Sequence, residues 1–372
     1  EPEKVKEENW FFKLTKYKKE IRKKIELDEF KIVPETRVHE LLNLLDDAED
    51  VSFSRPSKDL KWGIPVPNDD TQTVYVWADA LTNYISALGY DSSGSDLGGE
   101  RSDLFERFWP ADVHLVGKDI LRFHAMIWPA MLMSVGLPLP KAIYVHGFIN
   151  VEGEKMSKTT GNVIDPFAVV EKYGAEVVRY FLLREISSGE DGDFSYKKLE
   201  ERYNGDLANG LGNLVQRVVT LIDSNLDGEL IFKEELIEKE TRDKRQETSL
   251  KIKNNIENFK LHEALGNIWE IVGYANGYVD NKKPWVLSAG GGSPSDGRAG
   301  AFDGKDKPEE LLKIMTNLVS LLVFIGWHLY PFMPATSDKI FEIFGVERRI
   351  DAPLNNYRLR IKKGEGLFPR LK

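Results

Sequence analysis

The spacing of apolar positions divides the chain into an alternating first part and a helical second part. From Glu7 to about Lys24 the segment is amphipathic, with Leu14, Tyr17, Ile21 and Ile25 on one helical face. Strand and helix signals then mix as far as about Tyr144. Thr73–Trp77, Asp112–Gly117 and Ala142–Gly147 read as strands, and helical patterns lie between them. Strands alternating with helices predict a parallel sheet with covered faces. After Asp165-Pro166, an N-cap and first-turn pair, strand signals nearly vanish. From about Lys197 to Phe344 the pattern predicts long helices in an antiparallel bundle. Ser288 opens a stretch through Lys307 rich in Gly, Ser, Asp and Pro, read as a flexible surface insertion within the bundle. The fold class expected is therefore α/β followed by all-α, with divisions at 1–147, 148–200 and 201–372 and the insertion at 288–307.

Length and composition narrow this picture. A chain of 372 residues, 41% apolar and 30% charged, fits a soluble protein of two or three domains rather than a single core. It has no cysteine, which excludes a disulfide framework, a thiolate zinc site and a cysteine nucleophile within this chain. The most apolar run, Leu318–Trp327, is about half a membrane span and is followed by His328 and Pro331, so it reads as a buried helix. The first residues are charged and lack an apolar targeting core. No membrane partner is expected, and the compartment expected is the cytoplasm, with an organellar matrix as the other choice. The net charge of −9 argues against indiscriminate nucleic-acid binding. A local basic run exists near the end: Arg358, Arg360, Lys362, Lys363, Arg370 and Lys372 face a single Glu365. From charge alone it reads as a solvated tail.

One loop carries chemistry. Gly153-Glu154-Lys155-Met156-Ser157-Lys158-Thr159-Thr160-Gly161-Asn162 follows a strand and precedes a helix. Two ammonium groups three residues apart, a hydroxyl between them and flanking glycines suit a mobile clamp on phosphates. On spacing alone, the plain reading of a Lys-x-x-Lys loop is solvated surface. The wider text changes the balance. Lys-Met-Ser-Lys-Thr resembles the second signature, KMSKS, of class I aminoacyl-tRNA synthetases, and Gly161-Asn162-Val163-Ile164-Asp165-Pro166 resembles that family's continuation.

Upstream segments point to one amino acid. Val76-Trp77-Ala78-Asp79-Ala80-Leu81-Thr82-Asn83-Tyr84-Ile85 and Gly117-Lys118-Asp119-Ile120-Leu121-Arg122-Phe123-His124 resemble the two pocket segments of methionyl-tRNA synthetases. Trp62–Pro67, Ser54-Arg55 and Leu367-Phe368-Pro369-Arg370 resemble the same family. The resemblance implies that the first part is the second half of a Rossmann-like catalytic domain, joined by a KMSKS connecting region to an anticodon-binding bundle. It implies methionine in a pocket of Trp77, Leu81, Tyr84, Ile120 and His124, with Asp119 on the substrate ammonium. It also implies ATP with Mg2+ as substrate, held by His146, Gly147, Lys155, Met156, Ser157 and Lys158, with Lys155 and Lys158 catalytic. A thioether is apolar and polarizable, so an aromatic slot suits it. Ile120, Phe123, His124 and Ile127 share a face of a helix starting near Asp119, which makes His124 an inward group.

In the bundle, Asn209, Asn213 and Arg217 recur every four residues, opposite Leu207, Leu211, Leu214 and Val218. A polar stripe is ordinarily a wet face, yet asparagine and arginine also read splayed base edges. The resemblance implies that this stripe reads the anticodon of tRNA(Met) and that Trp285, after Pro284, stacks on its first base.

The family's first signature, His-Ile-Gly-His, does not occur, and His39 and His146 do not make it. The chain is therefore expected to begin after the family's connective insertion, to bind no zinc itself, to need an N-terminal catalytic half as partner, and to lack synthetase activity alone. A monomer is expected. The alternatives are a leucyl or cysteinyl synthetase, and a non-catalytic tRNA-binding subunit.

Overall fold

Among the described residues the parallel sheet has three strands, and one of them is too short for periodicity to reveal. The computed structural model describes residues 7–60, 62–90, 100–156, 161–187, 189–287, 307–347, 357–364 and 366–371. It divides into two compact units, Glu1–Phe148 and Ile149–Lys372.

In the first unit the elements run β1 (Phe11–Phe12), α1 (Lys18–Glu26), β2 (Lys31–Val33), α2 (Thr36–Asp46), β3 (Val51–Ser52), β4 (Ser54–Pro56), β5 (Pro65–Val66), β6 (Asp69–Val74), α3 (Val76–Ser86), α4 (Glu100–Phe108), β7 (His114–Gly117), α5 (Trp128–Ser134) and β8 (Ala142–His146). The order β2-β8-β7 is parallel throughout, with Lys31 opposite Ala142 and Gly117 opposite His146. Central β8 is buried from Ala142 to Val145, as a strand covered on both faces must be. Helix α1 buries Ile21 and Ile25, the face its spacing predicts, with Leu14 buried just before it.

The strand expected at Thr73–Trp77 is corrected. Strand β6 ends at Val74 and belongs to a separate antiparallel sheet, β4-β6-β5. Tyr75, extended at ψ 133, is the N-cap of α3, which places Trp77 in the first turn of a helix. The β-branched and aromatic run looks strand-like by propensity, but Ala78, Ala80 and Leu81 favour the helix, and context decides.

The second unit contains β9 (Ile149–Val151), β10 (Glu154–Lys155), α6 (Pro166–Tyr173), α7 (Ala175–Glu185), β11 (Gly192–Phe194), α8 (Tyr196–Arg202), a π-helical stretch Tyr203–Gly212, α9 (Asn213–Asn225), β12 (Glu229–Phe232), α10 (Lys239–Glu257), α11 (Leu261–Lys282), α12 (Lys307–Leu329), α13 (Pro334–Phe344) and β13 (Tyr357–Arg360). Helix α12 is long and apolar enough to cross a membrane, but Leu318–Ile325 are buried in the bundle core. Residues 288–306, most of the expected insertion, lie outside the described residues.

The basic run near the end is not a loose tail over its described part. Tyr357–Arg360 pairs antiparallel with β12 and buries Leu359. Arg358 and Arg360 both reach Glu229, Lys362 reaches Glu342, and Lys363 reaches Asp223. Exposed pairs of this kind contribute about 0–1 kcal/mol each, so the strand pairing and Leu359 do the holding. Further on, Tyr203 donates to the Pro369 carbonyl (2.7 Å), and the Leu371 N–H donates to Asn204 (3.2 Å).

Candidate functional site

The chain after β7 departs from a regular helix. A 3-10 turn, Lys118–Ile120, is followed by a π-helical turn, Phe123–Ile127, and then by α5. Pro129 has no N–H to donate to the residue 125 carbonyl, so an unbroken α-ladder is not available here. Widened turns of this type frequently carry functional groups. This one carries His124, which is 2% exposed.

Two hydrogen bonds fix the state of that histidine. Its Nδ1 lies 3.0 Å from the Ile120 carbonyl, which can only accept, so Nδ1 carries the proton. Burial lowers its pKa and keeps the ring neutral. Nε2 is then an acceptor, and the Tyr84 hydroxyl, 3.0 Å away, donates to it. Burial raises the Tyr84 pKa, so that donor stays protonated. Trp77 stacks on Phe123 at 4.0 Å between centroids and meets His124 edge-on at 5.9 Å. Tyr84 lies 4.2 Å from His114, whose Nε2 accepts from Trp128 Nε1 at 3.2 Å.

The structure thus brings Trp77, Tyr84, Ile120 and His124 into one aromatic cluster. Leu81, one turn beyond Trp77, is buried in the same core. Sequence reasoning left out His114 and Phe123 as site residues. The spacing around Phe123 held a signal, since it shares the His124 face, whereas His114 stands alone in a strand and gave none.

Asp119 is exposed, at the end of the sheet where β7 and β8 both finish. A Cβ added at Gly117 would fall 2.8 Å from Asp119 Oδ1 and 3.6 Å from His146 Cε1. The carboxylate therefore lies over a glycine and beside an imidazole, and a side chain at position 117 would have to displace it. His146 Nδ1 donates to the Gly147 carbonyl (2.8 Å), which fixes the ring. Strand ends of this kind, in open α/β sheets, are where ligands bind.

In the second unit, β9 and β10 form a hairpin whose turn residues Glu152 and Gly153 both have positive φ, as a type I′ turn requires. The Gly153 N–H donates to Asp193 (2.7 Å), and β11 pairs with β9. Lys155 ends the hairpin, exposed, and Met156 follows it half-buried. Ser157 and Lys158 lie outside the described residues. Asn162 Nδ2 donates back to the Lys155 carbonyl (3.2 Å), so the two ends of the loop are tied. Asp165 then caps α6 through the Phe167 N–H (2.9 Å), with Pro166 in the first turn.

The polar stripe begins in the π-helical stretch. Asn209 and Asn213 are exposed and Arg217 is half-buried, while Leu207, Leu211, Leu214 and Val218 are fully buried. The wide turns hold because partners on α11 serve them: Trp269 Nε1 donates to the Asp206 carbonyl (3.3 Å) and Asn276 to the Gly210 carbonyl (3.3 Å). A Cβ at Gly212 would lie 3.0 Å from the Leu207 carbonyl, five residues back. Arg217 is anchored by Asp280 (2.6 Å) and lies 6.0 Å from the centre of the Trp285 ring, which is 45% exposed. The structure therefore joins Arg217 to Trp285, and Asp280 is a supporting residue that spacing did not reveal.

Residues 1–219 match the family of tRNA synthetases class I (M). Curated relatives named methionine–tRNA ligase include those of Caldanaerobacter subterraneus subsp. tengcongensis, 42% identical over 99% of this chain and 56% of its own length, and of Clostridium tetani, 40% identical over 99% and 55%. The chain spans about half the length of the curated relatives it matches. Among solved structures, Mycobacterium tuberculosis methionyl-tRNA synthetase in complex with methionyl-adenylate superposes with a TM-score of 0.86. It is 34% identical, over 98% of this chain and 69% of that one. The aromatic cluster, the paired strand ends and the Lys155 hairpin are thus those of a chain that belongs to the methionyl family of class I tRNA synthetases.

Proposed function

We propose that this chain serves methionyl-tRNA synthesis, in which methionine and Mg·ATP give methionyl-adenylate and the methionyl group then passes to tRNA(Met). The observation that carries the reading is the aromatic cluster around His124, a neutral and internally satisfied polar group among rings. Such a wall offers a thioether burial plus sulfur–ring contact. That contact is worth about 0.3–1.5 kcal/mol, at most tenfold or so against an isosteric hydrocarbon. The shape set by Trp77, Leu81 and Ile120 must supply the rest of the selectivity. Asp119, exposed at the strand ends, offers its charge to the substrate ammonium.

Neither chemical step needs a nucleophile from the protein. The substrate carboxylate attacks the α-phosphorus in line as pyrophosphate leaves, and a terminal ribose hydroxyl of tRNA later attacks the adenylate. The chain's own part is orientation by the pocket and charge stabilisation by Lys155 and Lys158. His146 and Gly147 are proposed to contact ATP from the end of β8. Because the sequence holds no His-Ile-Gly-His, groups for the adenine are proposed to come from outside these 372 residues. A working unit in the cytoplasm, monomeric and without zinc bound by these residues, completes the proposal.

The test is amino-acid-dependent ATP–pyrophosphate exchange with the intact polypeptide that contains these residues. Methionine should support it, and leucine, valine, isoleucine and cysteine should fall at least a hundredfold lower. Preference for leucine or cysteine defeats the reading.

For the bundle, we propose that Asn209, Asn213, Arg217 and Trp285 read the anticodon. Trp285→Ala should weaken binding of the tRNA(Met) anticodon stem-loop by roughly 1–3 kcal/mol, the value of one stacked base. Methionine activation without tRNA should not change. An affinity equal to that of the parent in a filter-binding titration removes Trp285 from the reading surface.

A further inference from the structure

A cavity of about 760 Å³ lies in the helical unit among α10, α12 and the β12–β13 pair, a size typical of small-molecule sites. Arg245 projects into it from α10. Its Nη1 donates to Ser320 Oγ (2.6 Å), its guanidinium lies 5.7 Å from the Phe324 ring centre, and its Nε is buried with no partner. Among the described residues no carboxylate reaches it at ion-pair distance, and Glu234 attracts it only from further away. Burial works against its charge, yet a guanidinium stays protonated in proteins. Largely buried cations are ordinarily paired with an anion, because desolvation without compensation is costly.

The wall beside it on α12 is aromatic, while Glu234, Arg242 and Glu347 line other parts of the cavity. His328 Nδ1 donates to the Phe324 carbonyl (2.9 Å), and burial keeps the ring neutral. Its Nε2 then accepts from Ser249 Oγ (3.1 Å). The imidazole packs on Phe324 at 4.1 Å, with Trp327 beside it in the lining. Arg245 thus has no carboxylate at ion-pair distance among the described residues, and the ring faces lie next to it.

We infer that this cavity is a binding site for a small planar anion, a ring bearing a carboxylate or phosphate, with the oxyanion on Arg245 and the ring against Phe324, His328 and Trp327. Nothing in the methionine, ATP or anticodon reading uses these residues. Fork-shaped donation from a guanidinium suits both oxyanions.

Phenyl phosphate and benzoate are the probes, followed by saturation-transfer NMR and by Tm on the 372-residue chain. Phenyl phosphate or benzoate should bind and raise Tm. Phenol, which keeps the ring, and inorganic phosphate, which keeps the anion, should each bind at least tenfold more weakly. Arg245→Met should weaken the better probe by roughly 10- to 100-fold, the loss of a charge-assisted hydrogen bond. It should not lower Tm, because it replaces an unpaired buried cation by an apolar chain of similar length. Arg245→Lys keeps the charge, guards against a variant that fails to fold, and should lose at least fivefold. Absence of saturation transfer from both probes overturns the inference. So does probe affinity unchanged in Arg245→Lys or Arg245→Met, or phenol binding as tightly as phenyl phosphate.

Discussion

Lys158→Ala is expected to slow methionyl-adenylate formation by roughly 10²–10³-fold, about 2.7–4 kcal/mol, while methionine affinity stays within about twofold. The reason is where charge changes. In the proposed function methionine would be met by rings and by Asp119, whose charges and faces do not alter as the reaction proceeds. The leaving pyrophosphate gains negative charge only in the transition state, and a group that meets it there lowers the barrier without tightening the ground state. An ammonium suits this, being a compact point charge with three donors. The described frame is compatible with such a clamp: the β9–β10 hairpin turns tightly at Glu152 and Gly153, and the Asn162 bond to the Lys155 carbonyl ties the loop's ends. Between those ends Lys155 and Lys158 are separated by three positions. Stopped-flow or quench-flow measurement of the forward rate in the intact polypeptide gives the answer directly. A forward rate unchanged in the variant removes Lys158 from catalysis, and a fall in methionine affinity equal to the fall in rate makes it a ground-state binder.

The parts of the fold that showed in the sequence are those whose causes are local. Helix α6 begins where Asp165-Pro166 says it should, because a side-chain cap and a proline with preset φ act within three residues. Strand β8 showed because a strand buried on both faces is a continuous apolar run. Strand β2 did not, since three residues carry no period, and Lys31–Val33 is held by Ala142–Tyr144 more than a hundred positions away. The π-helical stretches were hidden for the same reason. Asn209, Asn213 and Arg217 read as one stripe of an ordinary helix, yet the turns that begin it depend on Trp269 and Asn276 of another helix. At the candidate pocket, Trp77, Tyr84 and His124 were legible only through resemblance. Their residue types in isolation are more often plain core, and the bond from Tyr84 to His124 spans forty positions.

Lowering the pH from 6.5 to 4 should remove roughly 3 kcal/mol of stability from the first unit through His114 alone. The pKa of His114 is pushed down to about 4, first by burial and then by the neighbouring His124. The geometry agrees with that direction. Trp128 Nε1 can only donate, and it donates to His114 Nε2, so a proton arriving there would set two N–H groups against each other. The titratable groups facing the ring are Tyr84 at 4.2 Å and His124 at 6.4 Å, and neither supplies a negative charge. The sign follows from proton counts. Below pH 6.5 the unfolded chain takes up a proton at this position while the folded chain does not, so each pH unit of acid favours unfolding by about 1.4 kcal/mol until the folded ring also titrates near pH 4. Above 6.5 both states are neutral and this contribution is flat. Urea denaturation followed by tryptophan fluorescence at pH 7, 5.5 and 4.5 measures the slope, with the Trp109 ring 6.0 Å from that of His114 and Trp128 hydrogen-bonded to it. His114→Asn loses stability at pH 7 but should show a pH dependence shallower by one proton over this window. A slope as steep as that of the parent would mean that His124 or the carboxylates govern acid unfolding, and that His114 already carries its proton in the folded chain.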